Sequence, residues 1–271
     1  MVEGMQPTPY VRMIKEARAV LASKYYWDVD MVNRHPDLLS QQLAKYNIAC
    51  PLLSRYISSR EQSVQQVMDA CQVTRDEAKS LFIRLMYFGG ITGWLTEYPH
   101  ADGNKLPTWV EALRAEQRRS AEALLKVNPH LLAQVKEYNS KCSISLMTAT
   151  QHGLTDPMAS VMAMYLQTLE CECVKSLVKA IQTDGAAPRV VGGIIYDGVL
   201  VEKAAKEIEL PQGLMNSWEE TVKKETGHTI KLVVKPWVCD PEWTEPAPAT
   251  LALETTSAES WMDGVCWAMM L

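Results

Sequence analysis

The chain has 271 residues, a formal net charge of −5 at pH 7 and an apolar content of 47%, which is typical of a globular protein of one or two domains. The net negative charge argues against a protein that coats nucleic acid nonspecifically, although it allows a local basic groove. No apolar run reaches membrane-spanning length and the N-terminal segment lacks a secretion signal, so we expect no membrane partner. Seven irregularly spaced cysteines favour a reducing, intracellular location in cytoplasm or nucleus.

Residues 25–36, which read Y-Y-W-D-V-D-M-V-N-R-H-P, are the first stretch that suggests chemistry. Aromatic and β-branched residues favour a strand here, and Pro36 ends or redirects it. Because side chains alternate along a strand, Asp28 and Asp30 share one face. Carboxylates in that position must be solvated, paired or bound to a cation. The stretch therefore predicts either a solvated strand end or a metal site.

The middle of the chain is predicted to be mostly helical. Helical patterns cover residues 10–23, 37–46, 51–70, 74–87, 109–127 and 128–140. Between them, a loop is predicted over 93–108 and a polar connection over 141–157. The helix over 74–87 is the clearest, because Thr74 and Glu77 form a capping box and Gly89 with Gly90 provides its end.

One face of that helix carries a regular stripe, since Arg75, Lys79, Ile83 and Tyr87 recur every four residues. Cations followed by an aromatic ring can bind a nucleotide, with the cations on the phosphates and the ring under the base. The stripe taken alone favours a solvated basic face beside a core tyrosine.

The second half of the chain contains a predicted hairpin. Residues 190–203 read V-V-G-G-I-I-Y-D-G-V-L-V-E-K, and Asp197-Gly198 between two apolar runs is a strong hairpin signal. Asp197 is then either a turn residue or an acid held at the hairpin tip. A carboxylate from each of two strands is what a pair of Mg²⁺ ions requires for phosphoryl transfer. We therefore expect the strand at 25–30 to lie beside this hairpin in one antiparallel sheet.

Four further segments complete the chain. They are a long apolar helix over 159–181, a helix over 213–226, a strand over 229–238 and a tail over 240–271 that is predicted to be poorly ordered.

The order of these elements resembles the palm and fingers of a family A DNA polymerase. The first motif of that family is a strand ending in Asp, with a sugar-gating residue five positions later, here Asp28 and Asn33. Its third motif is a His-Asp-Glu hairpin, here Y-D-G at 196–198. The late segment I-K-L-V-V-K-P-W-V is similar to the last palm strand of the family.

The fingers motif of the family is an Arg, a Lys four residues later, an aromatic residue and then a Tyr. This chain has Arg75, Lys79, Ile83 and Tyr87, and Gln167 is the match for a glutamine of the helix before the hairpin. The chain is most similar to a divergent group of viral and mobile-element polymerases, which share the phrases D-x-D-x-x-N-x-H-P and Y-D-G. The resemblance therefore implies a viral or mobile-element origin.

The resemblance also implies an α+β fold, in which a palm with a small antiparallel sheet carries a mostly helical fingers lobe. The expected ranges are 1–54 and 151–239 for the palm, 55–150 for the fingers and 240–271 for the tail. We expect the thumb, and any exonuclease or primase region, to lie outside this sequence.

The implied activity is template-directed nucleotidyl transfer, with primer–template DNA and nucleoside triphosphates as partners and Mg²⁺ as cofactor. Asp28 and Asp197 would hold two Mg²⁺ ions, with Asp30 as the alternative ligand. The residues expected to bind the nucleotide are Arg75, Lys79, Ile83, Tyr87 and Asn33. The residues expected to contact nucleic acid are His35, Gln167 and Tyr196, although a packed role fits His35 equally well.

Three departures from the family pattern leave two alternatives open. Asn33 replaces the usual sugar-gating glutamate, Gly198 removes the second acid of the third motif, and Ile83 replaces a ring. A single-subunit RNA polymerase of the phage type shares the same motifs. The other alternative is an inactive relic that keeps the fold as an interaction module.

Overall fold

The computed structural model describes residues 15–131, 133, 157–185 and 187–237. Its helices are α1 Lys15–Ala22, α2 Arg34–Lys45, α3 Pro51–Ser58, α4 Arg60–Cys71, α5 Arg75–Met86, α6 Ile91–Glu97, α7 Thr108–Val127, α8 Pro157–Thr183 and α9 Gln212–Thr226. Its strands are β1 Tyr26–Met31, β2 Val191–Ile195, β3 Gly198–Glu202 and β4 Leu232–Lys235.

The chain divides into two compact units. The sheet unit comprises residues 1–32 and 172–271, and the helical unit comprises residues 33–171. The chain passes between them after β1 and again within α8. The predicted division into palm and fingers stays a prediction.

The sheet unit is built on four antiparallel strands in the order β2-β3-β1-β4. Strand β1 pairs with β3 on one side and with β4 on the other. Val29 of β1 is fully buried, and so are Val199 and Leu200 of β3. The prediction that the strand at 25–30 lies beside the 190–203 hairpin in one antiparallel sheet is confirmed, and the coarse α+β class with it.

The helical unit packs around aromatic rings. The rings of Tyr56, Phe82 and Trp109 form a stack, with centroid distances of 4.7 Å for the first pair and 5.8 Å for the second. Because these rings come from α3, α5 and α7, the stack ties three helices together. The predicted capping box of α5 is confirmed, since the Thr74 hydroxyl accepts from the Glu77 amide and the Glu77 carboxylate accepts from the Thr74 amide.

The prediction of one helix over 51–70 is wrong, because two helices, α3 and α4, meet at Ser59. The hydroxyls of Ser58 and Ser59 both donate to the carbonyl of Arg55, at 3.0 and 2.7 Å. Such local bonds compete with the helical ladder and end α3. The apolar period continues across the break, which is why the sequence pattern did not reveal it.

The prediction of a loop over 93–108 is also wrong in part. This segment contains most of α6 and a short 3-10 helix at Gly103–Lys105. Trp94 is fully buried, and its indole donates to the carbonyl of Glu77 at 2.9 Å. A buried tryptophan with a satisfied N–H holds this short helix against α5.

The remaining elements follow the predictions, with shifted ends. Strand β4 is shorter than predicted, and α2 begins before Pro36, which the first turn of a helix tolerates. The tail over 240–271 and most of 128–140 and 141–157 lie outside the described residues. Within the described ranges, no helix combines the length and the apolarity needed to cross a membrane.

Candidate functional site: a carboxylate pair at the hairpin turn

The sheet brings two carboxylates together at the end of β1. Strand pairing sets Asp30 opposite Gly198, the residue that follows Asp197. The Asp30 carboxyl group lies within hydrogen-bonding reach of the Asp197 carboxyl group. Asp30 is also buried. Two acids that are far apart in the sequence therefore lie next to each other in the sheet.

The hairpin turn itself differs from the prediction. The turn residues are Tyr196 and Asp197, and Gly198 is already the first residue of β3. Tyr196 adopts a left-handed conformation with φ of 54°, and about half of its side chain is exposed. Tyr196 is therefore an exposed aromatic residue of the turn, directly before Asp197 in the sequence.

Gly198 explains how the two acids can approach each other. A Cβ at this position would lie 3.0 Å from the carbonyl oxygen of Val29 and 3.1 Å from Oδ1 of Asp30. The space that a side chain would fill is therefore taken by the Asp30 carboxylate. By the family resemblance, Gly198 stands where the third motif has its second acid. In the structure, the missing side chain of Gly198 leaves room for the Asp30 carboxylate.

Asp28, which the sequence argument placed first, lies farther from the turn. It shares a face with Asp30 by alternation, and its cross-strand neighbours are Leu200 in β3 and Lys235 in β4. Two residues along a strand amount to roughly 7 Å. The structure therefore favours Asp30, the alternative ligand of the sequence argument, as the partner of Asp197.

A lysine from β4 completes the site. The ammonium Nζ of Lys235 lies 2.5 Å from Oδ2 of Asp30. Burial and the neighbouring charge of Asp197 raise the pKa of Asp30 to about 6, and Lys235 offsets only part of this rise. The site is thus a crowded negative pair with one adjacent cation.

The base of the same sheet holds a different kind of carboxylate. Arg189 donates two hydrogen bonds to Glu207, at 2.7 and 3.0 Å. The indole of Trp27 and the amide of Ala204 also donate to it, at 2.9 and 3.0 Å. Burial by itself would raise the pKa of Glu207, but these hydrogen bonds hold it below its ordinary value. This cluster fixes β1 to the segments on either side of the hairpin.

The helical unit contains a second polar cluster, which includes two predicted site residues. His35 Nε2 lies 2.7 Å from Glu170, and Arg34 donates to the same carboxylate at 2.7 Å. The other ring nitrogen of His35 contacts the hydroxyl of Tyr87, and burial raises the pKa of Tyr87. His35 is buried, so the structure supports the packed role for this residue.

The basic stripe of α5 lies largely at the surface of the helical unit. Arg75 forms an ion pair with Glu61, and Lys79 lies 3.4 Å from Asp76. The side chain of Ile83 is 54% exposed. Such ion pairs near the surface contribute little to folding, so replacing Arg75 or Lys79 should have only a small effect on stability.

The two other predicted site residues have different surroundings. Asn33 has a left-handed conformation at the start of α2, and its Oδ1 is buried without a hydrogen-bond partner among the described residues. Gln167 is half-buried on α8.

The donor set of the carboxylate pair fits Mg²⁺. Among the residues that the structure describes, no three His, Cys, Asp or Glu side chains converge on a possible metal position. Mg²⁺ is, however, commonly bound through one or two carboxylates together with substrate phosphates. Asp30 and Asp197 supply two such carboxylates, and their mutual repulsion is what a cation would relieve.

No protein-family model matches the chain. The chain is similar to a protein of Sputnik virophage that carries the name "Putative helicase V13", with 26% identity over 227 residues. The matched region is 82% of this chain but only 26% of the virophage protein. The chain thus spans about a quarter of the length of that relative.

Proposed function

We propose that the chain carries out template-directed nucleotidyl transfer in the manner of a family A DNA polymerase. The observation that carries the proposal is the contact between Asp30 and Asp197. It joins the strand motif and the hairpin motif in one antiparallel sheet. The similarity to a virophage protein named as a helicase supports a role on nucleic acid.

Asp30 and Asp197 would hold the metal, with Asp28 as a more distant carboxylate on the same face. Bound Mg²⁺ supplies positive charge that favours attack by the primer 3′-hydroxyl and departure of pyrophosphate. The burial of Asp30 strengthens its electrostatic interactions, because the effective dielectric constant is lower than in water. The exposed ring of Tyr196, the other residue of the hairpin turn, would contact the nucleic acid.

The nucleotide-binding roles fall to α5. Arg75 and Lys79 would hold the triphosphate, whose charge increases during transfer. Tyr87 would support the base pair with its ring, since its hydroxyl is already engaged by His35. Asn33 keeps the role of sugar gate in this proposal.

One observation favours the nonenzymatic alternative. The ammonium of Lys235 lies against Asp30, so a protein cation already neutralises part of the charge that a metal would neutralise. An interaction module derived from a polymerase would keep such an ion pair as a structural contact.

Primer extension separates these functions. The wild type should extend a DNA primer on a template only with Mg²⁺, and parallel reactions with deoxyribonucleotides and ribonucleotides decide between DNA and RNA synthesis. Asp30→Asn and Asp197→Asn should abolish extension, Asp28→Asn should lose less, and the exposed carboxylate variant Glu209→Gln serves as the control. Extension that survives in Asp30→Asn and Asp197→Asn would overturn the proposal.

A further inference from the structure

Strand β4 sends one lysine across the sheet to the carboxylate pair. The backbone of Lys235 is paired with Asp28, but its ammonium reaches past this neighbour to Oδ2 of Asp30 at 2.5 Å. Lys231, four residues earlier, instead pairs with Glu219 at 3.1 Å. Lys231 directly precedes β4 and Lys235 is its last residue, and of these two lysines Lys235 contacts the carboxylate pair.

The two partners of this ion pair differ in their freedom. The Asp30 side chain is 11% exposed and is fixed by a central strand, whereas the Lys235 side chain is 51% exposed. A lysine stem is flexible, and its ammonium can exchange a carboxylate for water at little cost when it is exposed. Lys235 can therefore leave Asp30 without disturbing the core, whereas the Asp30 side chain stays at its place in the central strand.

A second observation concerns the balance of charge. The ammonium of Lys235 brings one positive charge to the Asp30 carboxylate. A divalent cation brings two and would therefore be attracted more strongly to the same carboxylate than the ammonium is. The ammonium and a metal ion would then compete for the same oxygen atoms.

We propose that Lys235 is a tethered counter-ion, which neutralises the Asp30–Asp197 pair in the metal-free protein and is displaced when Mg²⁺ binds. This inference rests on the proposed function, because it takes the pair as the metal site. Its consequence is that Lys235 weakens the binding of Mg²⁺ and keeps the two carboxylates together while no metal is present. Lys235 thus acts on the reaction through the pair and is a positioning residue.

Isothermal titration with MgCl₂ at low ionic strength and about pH 8 tests the competition directly. Lys235→Met should bind Mg²⁺ about tenfold more tightly than the wild type, since a repelling charge is removed. Lys235→Gln provides a second neutral variant. Lys235→Arg keeps the positive charge and should bind Mg²⁺ with the wild-type affinity. Lys231→Met, which removes the lysine directly before β4, is the matched control and should leave the affinity unchanged.

Two results would overturn the inference, and Asp197→Asn distinguishes them. If Asp197→Asn abolishes Mg²⁺ binding but Lys235→Met and Lys235→Gln bind as the wild type does, Lys235 is only a surface ion pair and the proposed metal site stands. If Mg²⁺ binding is absent in all chains, or is unaffected by Asp197→Asn, the pair is not a metal site and the proposed function fails with the inference. Binding that appears only in the two neutral variants would support the counter-ion.

Discussion

Two carboxylates on one small sheet have opposite electrostatic surroundings. Glu207 accepts hydrogen bonds from Arg189, Trp27 and Ala204, and these bonds hold its pKa below the ordinary value. Asp30 instead faces a second acid, Asp197, and its pKa is raised to about 6, first by burial and then by that charge. The partners of Glu207 outweigh the effect of its burial on the pKa, whereas the ammonium of Lys235 offsets only part of the rise at Asp30.

This difference separates a structural site from a candidate functional one. A carboxylate whose hydrogen bonds all come from the protein stabilises the fold and needs no ligand. A buried acid beside a second acid costs free energy unless a cation offsets the repulsion, and such costs are concentrated at functional sites. Substitutions of Glu207 and of Asp30 therefore test the two sites separately.

Removal of Glu207 should have the largest effect on stability. Glu207→Ala leaves the half-buried Arg189 without its counter-charge and Trp27 without its acceptor, so we expect a loss of about 3 kcal/mol in the free energy of unfolding. Urea denaturation measures this loss. Glu209→Ala, which removes an exposed carboxylate two residues away, should leave the unfolding midpoint unchanged. Equal effects of both variants would show that the hydrogen bonds of Glu207 add no stability beyond that of an exposed carboxylate.

The pH dependence of the free energy of unfolding tests the surroundings of Asp30. The folded-state pKa of Asp30 is about 6 and the ordinary value is 3.8. Because the folded value is the higher one, the contribution of Asp30 is fully present below about pH 4 and is lost as the pH rises through about 6. Between these limits the metal-free wild type should lose about 2 kcal/mol relative to Asp30→Asn.

The quantity to measure is the difference in the free energy of unfolding between the wild type and Asp30→Asn at each pH. Burial also raises the pKa of Asp37 to about 6, so the wild type alone would mix two groups. Asp37 is present in both proteins, and its contribution cancels in the difference. A difference that stays constant from about pH 4 to about pH 7 would contradict the raised pKa of Asp30.

The smallest effect on folding is expected in the helical unit, at Lys79. This ammonium lies 3.4 Å from the exposed Asp76, so Lys79→Ala should leave the melting temperature nearly unchanged. If Lys79 holds a triphosphate, the same variant should bind a nucleoside triphosphate about tenfold more weakly. Lys126→Ala, an exposed lysine of α7, is the control for charge. Unchanged nucleotide binding in Lys79→Ala would remove its assigned role.

Local signals in the sequence predicted much of the fold. The capping box at Thr74 defines the start of α5, and the alternating strand with the apolar hairpin gives three of the four strands. Helix α6 was missed because Trp94 lies in a short segment with Gly and Thr, where no apolar period can develop. The break between α3 and α4 was missed because it depends on serine hydroxyls rather than on the hydrophobic pattern.

The site was predicted less completely than the fold, because it depends on register. Asp28 and Asp30 are equivalent by alternation, and only the pairing of Asp30 with Gly198 shows which one meets Asp197. Lys235 could not be found from its own segment, since its partner lies on a strand distant in sequence. Interstrand register follows from the packing of the whole sheet, and a single strand does not reveal it.

The most direct test of the metal pair is a thermal melt of the wild type and Asp197→Asn, with and without millimolar MgCl₂. Asp197→Asn keeps the size and the turn tendency of the residue but removes its charge, so it should melt at or above the wild-type temperature without metal. Mg²⁺ should raise the melting temperature of the wild type by mass action and leave that of Asp197→Asn unchanged. Equal responses of both proteins to Mg²⁺ would contradict the account, because Asp197 would then be only a turn residue.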